Sequence, residues 1–264
     1  MFDFHCDKKE YFEIQYKTAC DSIVPLVSQY LQITEHTRVL EIGSAEAGVL
    51  KAFTERGCHC TGIELSPGRV ELACKFMQQE LAEGRVQFLS KNIYDVIVEK
   101  DIGFKFDLII LKDVIEHIHE QEKFIPYMMR FLNPNGLIFI GFPPWTMPYG
   151  GHQQMCANKF LSRLPYFHLL PVSIYRRIIQ FGKEKPNKIE MLLEVKQTGI
   201  TINRFEKIIS NNRLKIINRI LYIIPPVYRY KFKLKPRRLC ALFTKIPIFR
   251  DFCTMSAYYV IQKE

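Results

Sequence analysis

VLEIGSAEAG, residues 39–48, decides the fold of this chain. An apolar run ends here in a turn of small residues, and a helical pattern of apolar residues begins directly after the turn. A strand, a small-residue turn and a helix in this order open a nucleotide-binding α/β unit. The stretch therefore predicts a parallel α/β sheet that holds a ligand at its first turn.

A carboxylate follows this turn at the spacing that ribose binding requires. Glu64 comes 21 residues after Gly43, at the end of a second apolar strand in GIELS, residues 62–66. A carboxylate at this place can accept hydrogen bonds from two ribose hydroxyls. We therefore predict that Glu64 binds the ribose of a nucleoside and that Leu65 lies beside it in the site.

The composition of the turn favours one kind of nucleoside. Gly43, Ala45 and Gly48 form G-x-A-x-x-G, in which alanine replaces the glycine that lets a backbone approach a pyrophosphate. Ala45 adds a methyl group and Glu46 adds a negative charge, and both oppose a diphosphate. Neither opposes an amino group or a sulfonium, so the turn favours S-adenosylmethionine. Glu41 suits the amino end of this ligand, and the N-terminus of the following helix suits its carboxylate.

Further motifs extend the pattern along about residues 35–145. FDLIILKDVIEHI, residues 106–118, contains a strand and a Glu-His pair, and LNPNGLIFIGFPP, residues 132–144, contains a turn and a strand. Together with the turn at residues 41–48 and with Glu64, these motifs resemble the class I S-adenosylmethionine-dependent methyltransferases. The resemblance implies a methyltransferase that uses S-adenosylmethionine as its cofactor.

The resemblance also implies a set of cofactor-binding residues. Asn92 and Ile93 follow the third strand, where the family usually has a residue near the adenine. Ala45 and Ala47 stand where the family more often has glycines. The predicted cofactor-binding residues are Glu41, Gly43, Ser44, Ala45, Gly48, Glu64, Leu65, Asn92, Ile93 and Lys112.

The order of apolar patterns predicts an α/β fold with a doubly wound, mostly parallel seven-stranded sheet, helices on both faces, and a helical insertion after strand five. Strands are expected near residues 37–43, 59–64, 86–90, 106–111, 136–142, 214–224 and 256–262. Helices are expected near residues 47–56, 67–82, 120–132, 157–164, 171–182, 187–197 and 201–211.

We expect a single domain, because 264 residues with 48% hydrophobic content can form one large core. Its predicted parts are an N-terminal helical cap (1–36), a cofactor-binding core (37–142), a helical insertion or substrate lid (143–198), and a last layer helix with edge strands (199–264).

The candidate catalytic residues follow strands four and five. Methyl transfer is an in-line displacement at a carbon that the sulfonium activates, so the protein must chiefly align the acceptor and exclude water. One base is enough, and the candidates are Asp113, His117 and His152. His152 follows a Gly150-Gly151 pair that would let its loop close over a substrate, although a histidine that merely caps a helix is the alternative. Trp145 of the same loop either stacks on an acceptor or packs in the core.

Several classes of protein are disfavoured by composition. The chain has no long uncharged apolar run for a membrane span, and its first residues lack the pattern of a secretory signal, so we expect a cytoplasmic protein. Its eight cysteines are scattered and are expected to be reduced. Cys58-His59-Cys60 has no second pair at zinc-finger spacing, and we predict no metal site.

The positive charge lies in one segment. The chain is formally +10, and residues 213–250 carry eleven Lys or Arg and no acid, so the remainder sums to 10 minus 11, or −1. Aromatic residues alternate with these cations. The pattern fits an anionic membrane surface, a phosphorylated substrate or a nucleic acid, and its plain alternative is a solvated basic rim. We expect a small-molecule, glycan or lipid-linked acceptor and a possible position at the inner membrane surface, and nucleic acid is the less favoured partner.

Two other functions remain open on sequence alone. A NAD-type oxidoreductase is disfavoured by Ala45 and Glu46, which oppose a diphosphate. A non-catalytic protein that binds S-adenosylmethionine stays possible because of the alanines in the turn.

Overall fold

The computed structural model describes residues 7–264, so the start of the predicted N-terminal cap, residues 1–6, lies outside the described residues. The described chain forms one sheet with helices on both faces. Its strands are β1 (Arg38–Ile42), β2 (His59–Ile63), β3 (Val86–Leu89), β4 (Phe106–Lys112), β5 (Leu132–Phe142), β6 (Leu214–Ile224), β7 (Arg237–Arg238) and β8 (Ser256–Lys263).

The helices alternate with the strands in the first half of the chain and form most of the insertion. They are α1 (Lys8–Thr18), α2 (Val24–Val27), α3 (Gly48–Thr54), α4 (Pro67–Phe76), α5 (Gln78–Ala82), α6 (Gln121–Met128), α7 (Val172–Phe181), α8 (Pro186–Thr198), α9 (Ile202–Asn211), α10 (Tyr228–Phe232), α11 (Ala241–Thr244) and α12 (Pro247–Cys253). None of the helices in residues 7–264 is both long and apolar enough to cross a membrane.

The strand order is β3-β2-β1-β4-β5-β8-β6-β7. Strands β1 to β5 pair in parallel, and β8 pairs antiparallel with both β5 and β6. The prediction of a doubly wound, mostly parallel sheet is therefore confirmed. The sheet has eight strands instead of the predicted seven, because the additional two-residue strand β7 pairs with β6 at the edge. The chain reverses its direction across the sheet between β1 and β4, and ligands bind at such a switch point beyond the carboxyl ends of the strands.

Alternate residues of the strands fill two cores, one on each face of the sheet. In β4, Ile109 and Leu111 belong to the core on one face, while Leu108 and Ile110 belong to the core on the other. Strands buried on both faces need nearly continuous apolar sequence, which is what β4 and β5 have. This burial fixes the register of the strands and therefore the place at which each strand ends.

The insertion after β5 differs from the prediction in one part. Helices α7 and α8 agree with the expected positions, but the helix expected near residues 157–164 is reduced to a 3₁₀ turn, Leu161–Arg163. The Asn158 carboxamide oxygen accepts hydrogen bonds from the backbone of Phe160 and Leu161 at 3.0 and 3.2 Å. An asparagine side chain that bonds nearby backbone groups in this way competes with helix formation. The insertion has a small core of its own around Tyr175 and Leu192.

Candidate functional site

The turn after β1 bends back over the end of β2. The backbone nitrogens of Gly43 and Ser44 both donate to the Ile63 carbonyl, at 2.7 and 3.2 Å. Gly43, Ala45 and Ala47 have φ values of 72°, 47° and 67°. These angles lie in the left-handed region that glycine adopts most readily. The two alanines thus adopt a conformation that glycine would adopt more easily, at a cost of about 1–2 kcal/mol each.

Glu64 links this turn to the turn after β2. One carboxylate oxygen accepts from the backbone nitrogen of Ala45 at 3.0 Å, and the other accepts from Ser66 at 2.9 Å. An ionised carboxylate offers about four acceptor positions, so Glu64 can accept further hydrogen bonds. Leu65, next in the chain, is 69% exposed and is available to contact a ligand.

A pocket lies between α1, the turn after β1 and the end of β4. Its lining contains four buried polar atoms that have no hydrogen-bond partner among the described residues. Glu46 Oε1 is in an ion pair with Lys8, but Gln15 Oε1, Glu41 Oε2 and Ser44 Oγ are unsatisfied. Buried polar atoms are almost always satisfied in folded proteins, so such a group of unsatisfied atoms in one pocket indicates a ligand. The lining residues are Tyr11, Phe12, Gln15, Glu41, Gly43, Ser44, Ala45, Glu46, Gly48, Val49, Lys112 and Asp113.

Glu41 and Lys112 set the electrostatics of this pocket. Burial raises the pKa of the Glu41 carboxyl well above its ordinary value, and the neighbouring Lys112 offsets part of that increase. Burial alone would lower the pKa of Lys112, but Asp113, whose carboxylate lies 2.5 Å from the Lys112 ammonium, keeps it above its ordinary value. The pocket therefore offers a carboxyl group to a cationic ligand and an ammonium group to an anionic one.

Helix α1 covers the pocket because Gly48 lets it approach closely. A Cβ atom on Gly48 would lie 2.4 Å from the Phe12 carbonyl oxygen. An ion pair between Lys8 and Glu46, at 3.0 Å, ties α1 to the same turn. The sequence predicted helices over this end of the sheet, but it gave no sign that Tyr11 and Gln15 of α1 line the pocket.

The structure brings the three candidate catalytic residues together. The rings of His117 and His152 lie 5.0 Å apart between centroids and meet edge to face. Asp113, at the end of β4, is near enough for its charge to raise the pKa of both histidines. Asp113 also lines the cofactor-side pocket, so the two groups of residues adjoin at this residue.

The histidines differ from the expected near-neutral base. Burial, with a smaller contribution from His117, lowers the pKa of His152 to about 4. Desolvation by the surrounding side chains also lowers the pKa of His117, although the residue as a whole is exposed. A base works best when its pKa lies near the working pH, so His152 is a weak base at neutral pH. Its neutral imidazole can still accept a hydrogen bond or bind a cation.

Glu116 is a member of this cluster that the sequence analysis did not select. Its side chain is 4% exposed, and its Oε2 atom is buried and has no hydrogen-bond partner in the described part of the chain. Burial and the nearby Asp113 raise the pKa of its carboxyl well above the ordinary value. The Glu-His pair in FDLIILKDVIEHI could have pointed to Glu116, because this residue immediately precedes His117.

The loop after β5 is packed rather than open. A Cβ atom on Gly150 would lie 2.2 Å from the Trp145 carbonyl oxygen, and one on Gly151 would lie 2.3 Å from His168. The glycine pair is therefore needed for close packing in this conformation, and closure of the loop over a substrate stays a prediction. Trp145 packs against Gly199 and His168, in agreement with the packing alternative for this side chain.

The predicted residues after β3 divide into two environments. Asn92 is exposed, and its side-chain oxygen accepts a hydrogen bond from the backbone of Tyr94 at 3.1 Å. Ile93 is 8% exposed and belongs to the core. Asn92 therefore borders the ligand end of the sheet, while Ile93 mainly supports it.

Helix α10, within the basic segment, reaches the site as well. The Lys231 ammonium lies 5.6 Å from the centroid of the Tyr11 ring. Burial and the charge of Lys112 lower the pKa of Lys231 to about 8, although Asp113 acts in the opposite direction. The sequence placed this segment at the surface and did not connect it with the pocket.

The seven cysteines in residues 7–264 are all free, as expected from their scattered positions. Cys58 and Cys60 are buried in the core beside β2. Burial raises the pKa of the Cys58 thiol to about 11, as expected of a structural cysteine.

Comparison with known proteins agrees with this geometry. A family model described as a methyltransferase domain matches residues 12–160. An uncharacterized methyltransferase of Mycolicibacterium gilvum is 26% identical over 46% of this chain and 44% of its own length. A ubiquinone biosynthesis O-methyltransferase of Mesorhizobium japonicum is 25% identical over 64% of this chain and 65% of its own length. The chain thus spans less than two thirds of either relative.

A solved structure extends the likeness to most of the fold. It is a geranyl diphosphate C-methyltransferase from Streptomyces coelicolor A3(2), in complex with Mg²⁺, geranyl diphosphate and S-adenosyl-L-homocysteine. It superposes with a TM-score of 0.56 at 13% identity and covers 92% of this chain and 80% of its own. At this identity the likeness shows the fold alone. From the family match and this fold, the chain belongs to the methyltransferase domain family and has the class I, Rossmann-like fold of S-adenosylmethionine-dependent methyltransferases.

Proposed function

We propose that this protein binds S-adenosylmethionine and transfers its methyl group to a small-molecule acceptor. The observation that carries the proposal is the group of unsatisfied buried atoms of Gln15, Glu41 and Ser44 in one pocket. These atoms lie beside a turn whose carboxylate, Glu64, has acceptor capacity to spare. The pocket thus provides acceptors for the amino group and the ribose of the proposed ligand.

The residues have separate roles in this proposal. Glu64 accepts hydrogen bonds from the ribose hydroxyls, and Leu65 provides an apolar surface near the base. Glu41 attracts the amino group, whose positive charge would lower the raised pKa of that carboxyl. Lys112 is the buried cation that the carboxylate of the ligand can approach. S-adenosylmethionine, when bound, supplies a methyl group already activated by its sulfonium.

The acceptor is proposed to enter beside Asp113, His117 and His152. These residues adjoin the pocket at Asp113 and offer hydrogen-bonding groups of both kinds. Their role is to orient the acceptor, because His152 is a weak base at neutral pH. One relative acts in ubiquinone biosynthesis, and the superposed structure holds geranyl diphosphate, which supports a small and partly apolar acceptor here.

The experiment is methyl transfer from radiolabelled S-adenosylmethionine to a panel of phenols, isoprenoid quinols, sugars and lipid-linked glycans. Labelled product with at least one class is expected, and Glu41→Gln should raise the KM for S-adenosylmethionine. Glu99→Gln, at an exposed acid away from the pocket, is the control. Binding of S-adenosylmethionine without transfer to any class would favour a non-catalytic binding protein instead.

We further propose that a surface formed by residues 233–252 contacts anionic lipid on the cytoplasmic side of a membrane. Its apolar side chains are unusually exposed, including Leu242 at 65%, Ile248 at 71% and Phe249 at 50%. Exposed cations lie next to them along the chain, at Lys233, Lys235, Arg237, Arg238 and Lys245. Large exposed apolar patches mark interaction sites, and adjacent cations favour an anionic partner. This surface follows α10 directly, so lipid contact would bring the pocket close to a lipid-linked acceptor.

A further inference from the structure

The cluster beside the pocket contains a set of residues typical of metal sites. A carboxylate oxygen of Glu116 and one ring nitrogen each of His117 and His152 lie within 4.8 Å of one another. Metal bonds of about 2.0–2.2 Å separate ligand atoms by up to about 4.4 Å, so small side-chain rotations would close the set around a cation. The three side chains come from two loops, those after β4 and β5.

The second observation concerns Glu116 alone. It is a nearly buried carboxyl, and one of its oxygens lacks a hydrogen-bond partner within residues 7–264. A carboxyl group left unsatisfied in the interior costs free energy unless a ligand satisfies it. None of the hydrogen bonds described for this loop serves its Oε2 atom.

The backbone of the loop is rigid enough to present these ligands. The Thr198 hydroxyl donates to the Glu116 carbonyl at 2.6 Å. Gln121 donates to the Ile115 carbonyl at 3.1 Å, and the His117 nitrogen donates to Val114 at 2.9 Å. A metal site needs ligands held by such a supporting shell.

We propose that Glu116, His117 and His152 bind a divalent transition-metal cation. Two imidazoles and one carboxylate would leave other coordination positions of the cation open. Such a ligand set suits Mn²⁺, Fe²⁺, Co²⁺ or Zn²⁺ better than Mg²⁺, which prefers oxygen ligands. The cluster adjoins Asp113, beside which the acceptor is proposed to enter.

The consequence for chemistry rests on the proposed function. A cation at this site would attract the hydroxyl oxygen of an acceptor and favour loss of the hydroxyl proton to water. The site therefore predicts that the acceptor presents an oxygen atom, and that methyl transfer to it depends on a divalent cation.

The test is a titration of the full chain, without an affinity tag, with Co²⁺ followed by visible absorption. We expect one equivalent of Co²⁺ per chain, with bands that indicate nitrogen ligands. His152→Ala and Glu116→Gln should each weaken Co²⁺ binding at least tenfold. His117→Ala, at an exposed position that tolerates substitution, should do the same.

His119→Ala is the matched control, because His119 is an exposed histidine two residues further on that faces Glu194 at 3.5 Å. It should bind Co²⁺ like the wild type. No Co²⁺ binding at millimolar concentration, or equal affinity in His117→Ala and wild type, would overturn the proposal. The affinity for S-adenosylmethionine is measured on the same samples. A wild-type protein that binds Co²⁺ but not S-adenosylmethionine would contradict the proposed function and would support the proposed metal site.

Discussion

Two glycines near helix starts, Gly48 and Gly68, have opposite surroundings. A Cβ atom on Gly48 would collide with the backbone of α1, whereas one on Gly68 would have no atom within 4 Å. The same substitution at the two positions therefore separates the effect of crowding from the effect of helix propensity. The crowded position is the one that lets α1 close over the cofactor-side pocket.

Gly48→Ala is expected to lower the free energy of unfolding by about 1–3 kcal/mol, because α1 must move away from α3. Gly68→Ala should leave it unchanged or raise it by up to about 1 kcal/mol, since alanine favours a helix. Urea denaturation followed by circular dichroism measures both. Equal effects of the two substitutions would show that α1 does not pack on α3 as described.

Residues close together along the chain could be predicted, and residues brought in from far away could not. The motif at residues 39–48 and the second strand pointed to Gly43 and Glu64 as neighbours at one end of the sheet, and the structure has Glu64 bonded to the turn through Ala45. Gln15 lines the same pocket from the first helix, and Lys231 of a late segment lies beside Tyr11 at its edge. No local pattern marks such residues, because their position depends on how α1 and α10 pack on the sheet.

At the scale of elements, the loop after β5 is held by a buried histidine. His168 is fully buried, and its Nε2 donates to the Trp145 carbonyl at 2.8 Å. Its Nδ1 faces the Gln153 amide nitrogen at 3.1 Å, and that nitrogen also donates to the Pro148 carbonyl. A proton on Nδ1 would place two donors face to face. The loop is therefore built around a neutral His168.

This arrangement predicts acid sensitivity. Burial lowers the pKa of His168 to about 4, below its value of about 6.5 in the unfolded chain. Between these pH values the unfolded state binds a proton that the folded state does not, so stability falls as the pH drops from about 6.5 to about 4. His168→Gln should reduce the slope of stability against pH in this range, measured by thermal unfolding.

His36→Gln, at an exposed histidine, is the control for that slope. An unchanged slope in His168→Gln would contradict the assignment of the neutral state.

The same loop also explains why the expected helix near residues 157–164 did not form. Its sequence has helical apolar spacing. However, the Glu184 carboxylate accepts from the backbone nitrogens of Ala157 and Asn158 at 3.0 and 2.8 Å. Together with the Asn158 side chain, it binds backbone groups that a helix would use.

At the scale of the whole molecule, charge and exposed apolar surface lie in the same late segment. Part of the segment forms ion pairs with the rest of the protein, since Arg219 and Arg250 pair with Glu206, and Arg229 pairs with Asp21. Composition could identify the basic segment. It could not show which of its cations form ion pairs, because ion pairing depends on the fold. The exposed cations near the apolar side chains of α11 and α12 are Lys233, Lys235, Arg237, Arg238 and Lys245.

Replacement of Lys233, Lys235, Arg237 and Arg238 by glutamine should abolish cosedimentation with anionic vesicles. Each cation near such a surface contributes about 1 kcal/mol, or about fivefold in affinity. The control variant replaces Lys17, Lys75, Lys100 and Lys105, which are equally exposed, and keeps the same net charge. Equal binding of both variants would show that net charge alone matters, and equal binding to neutral vesicles or to RNA would contradict the proposed partner.

The central claim is that the turns after β1 and β2 bind S-adenosylmethionine. Isothermal titration of the wild type, Glu64→Ala and Glu71→Ala with S-adenosylmethionine tests it most directly. Loss of the Glu64 acceptors should cost about 1.5–3 kcal/mol and lower the affinity at least tenfold. Glu71→Ala, at an exposed acid of α4, should bind like the wild type. Wild-type affinity in a folded Glu64→Ala variant would contradict the assignment.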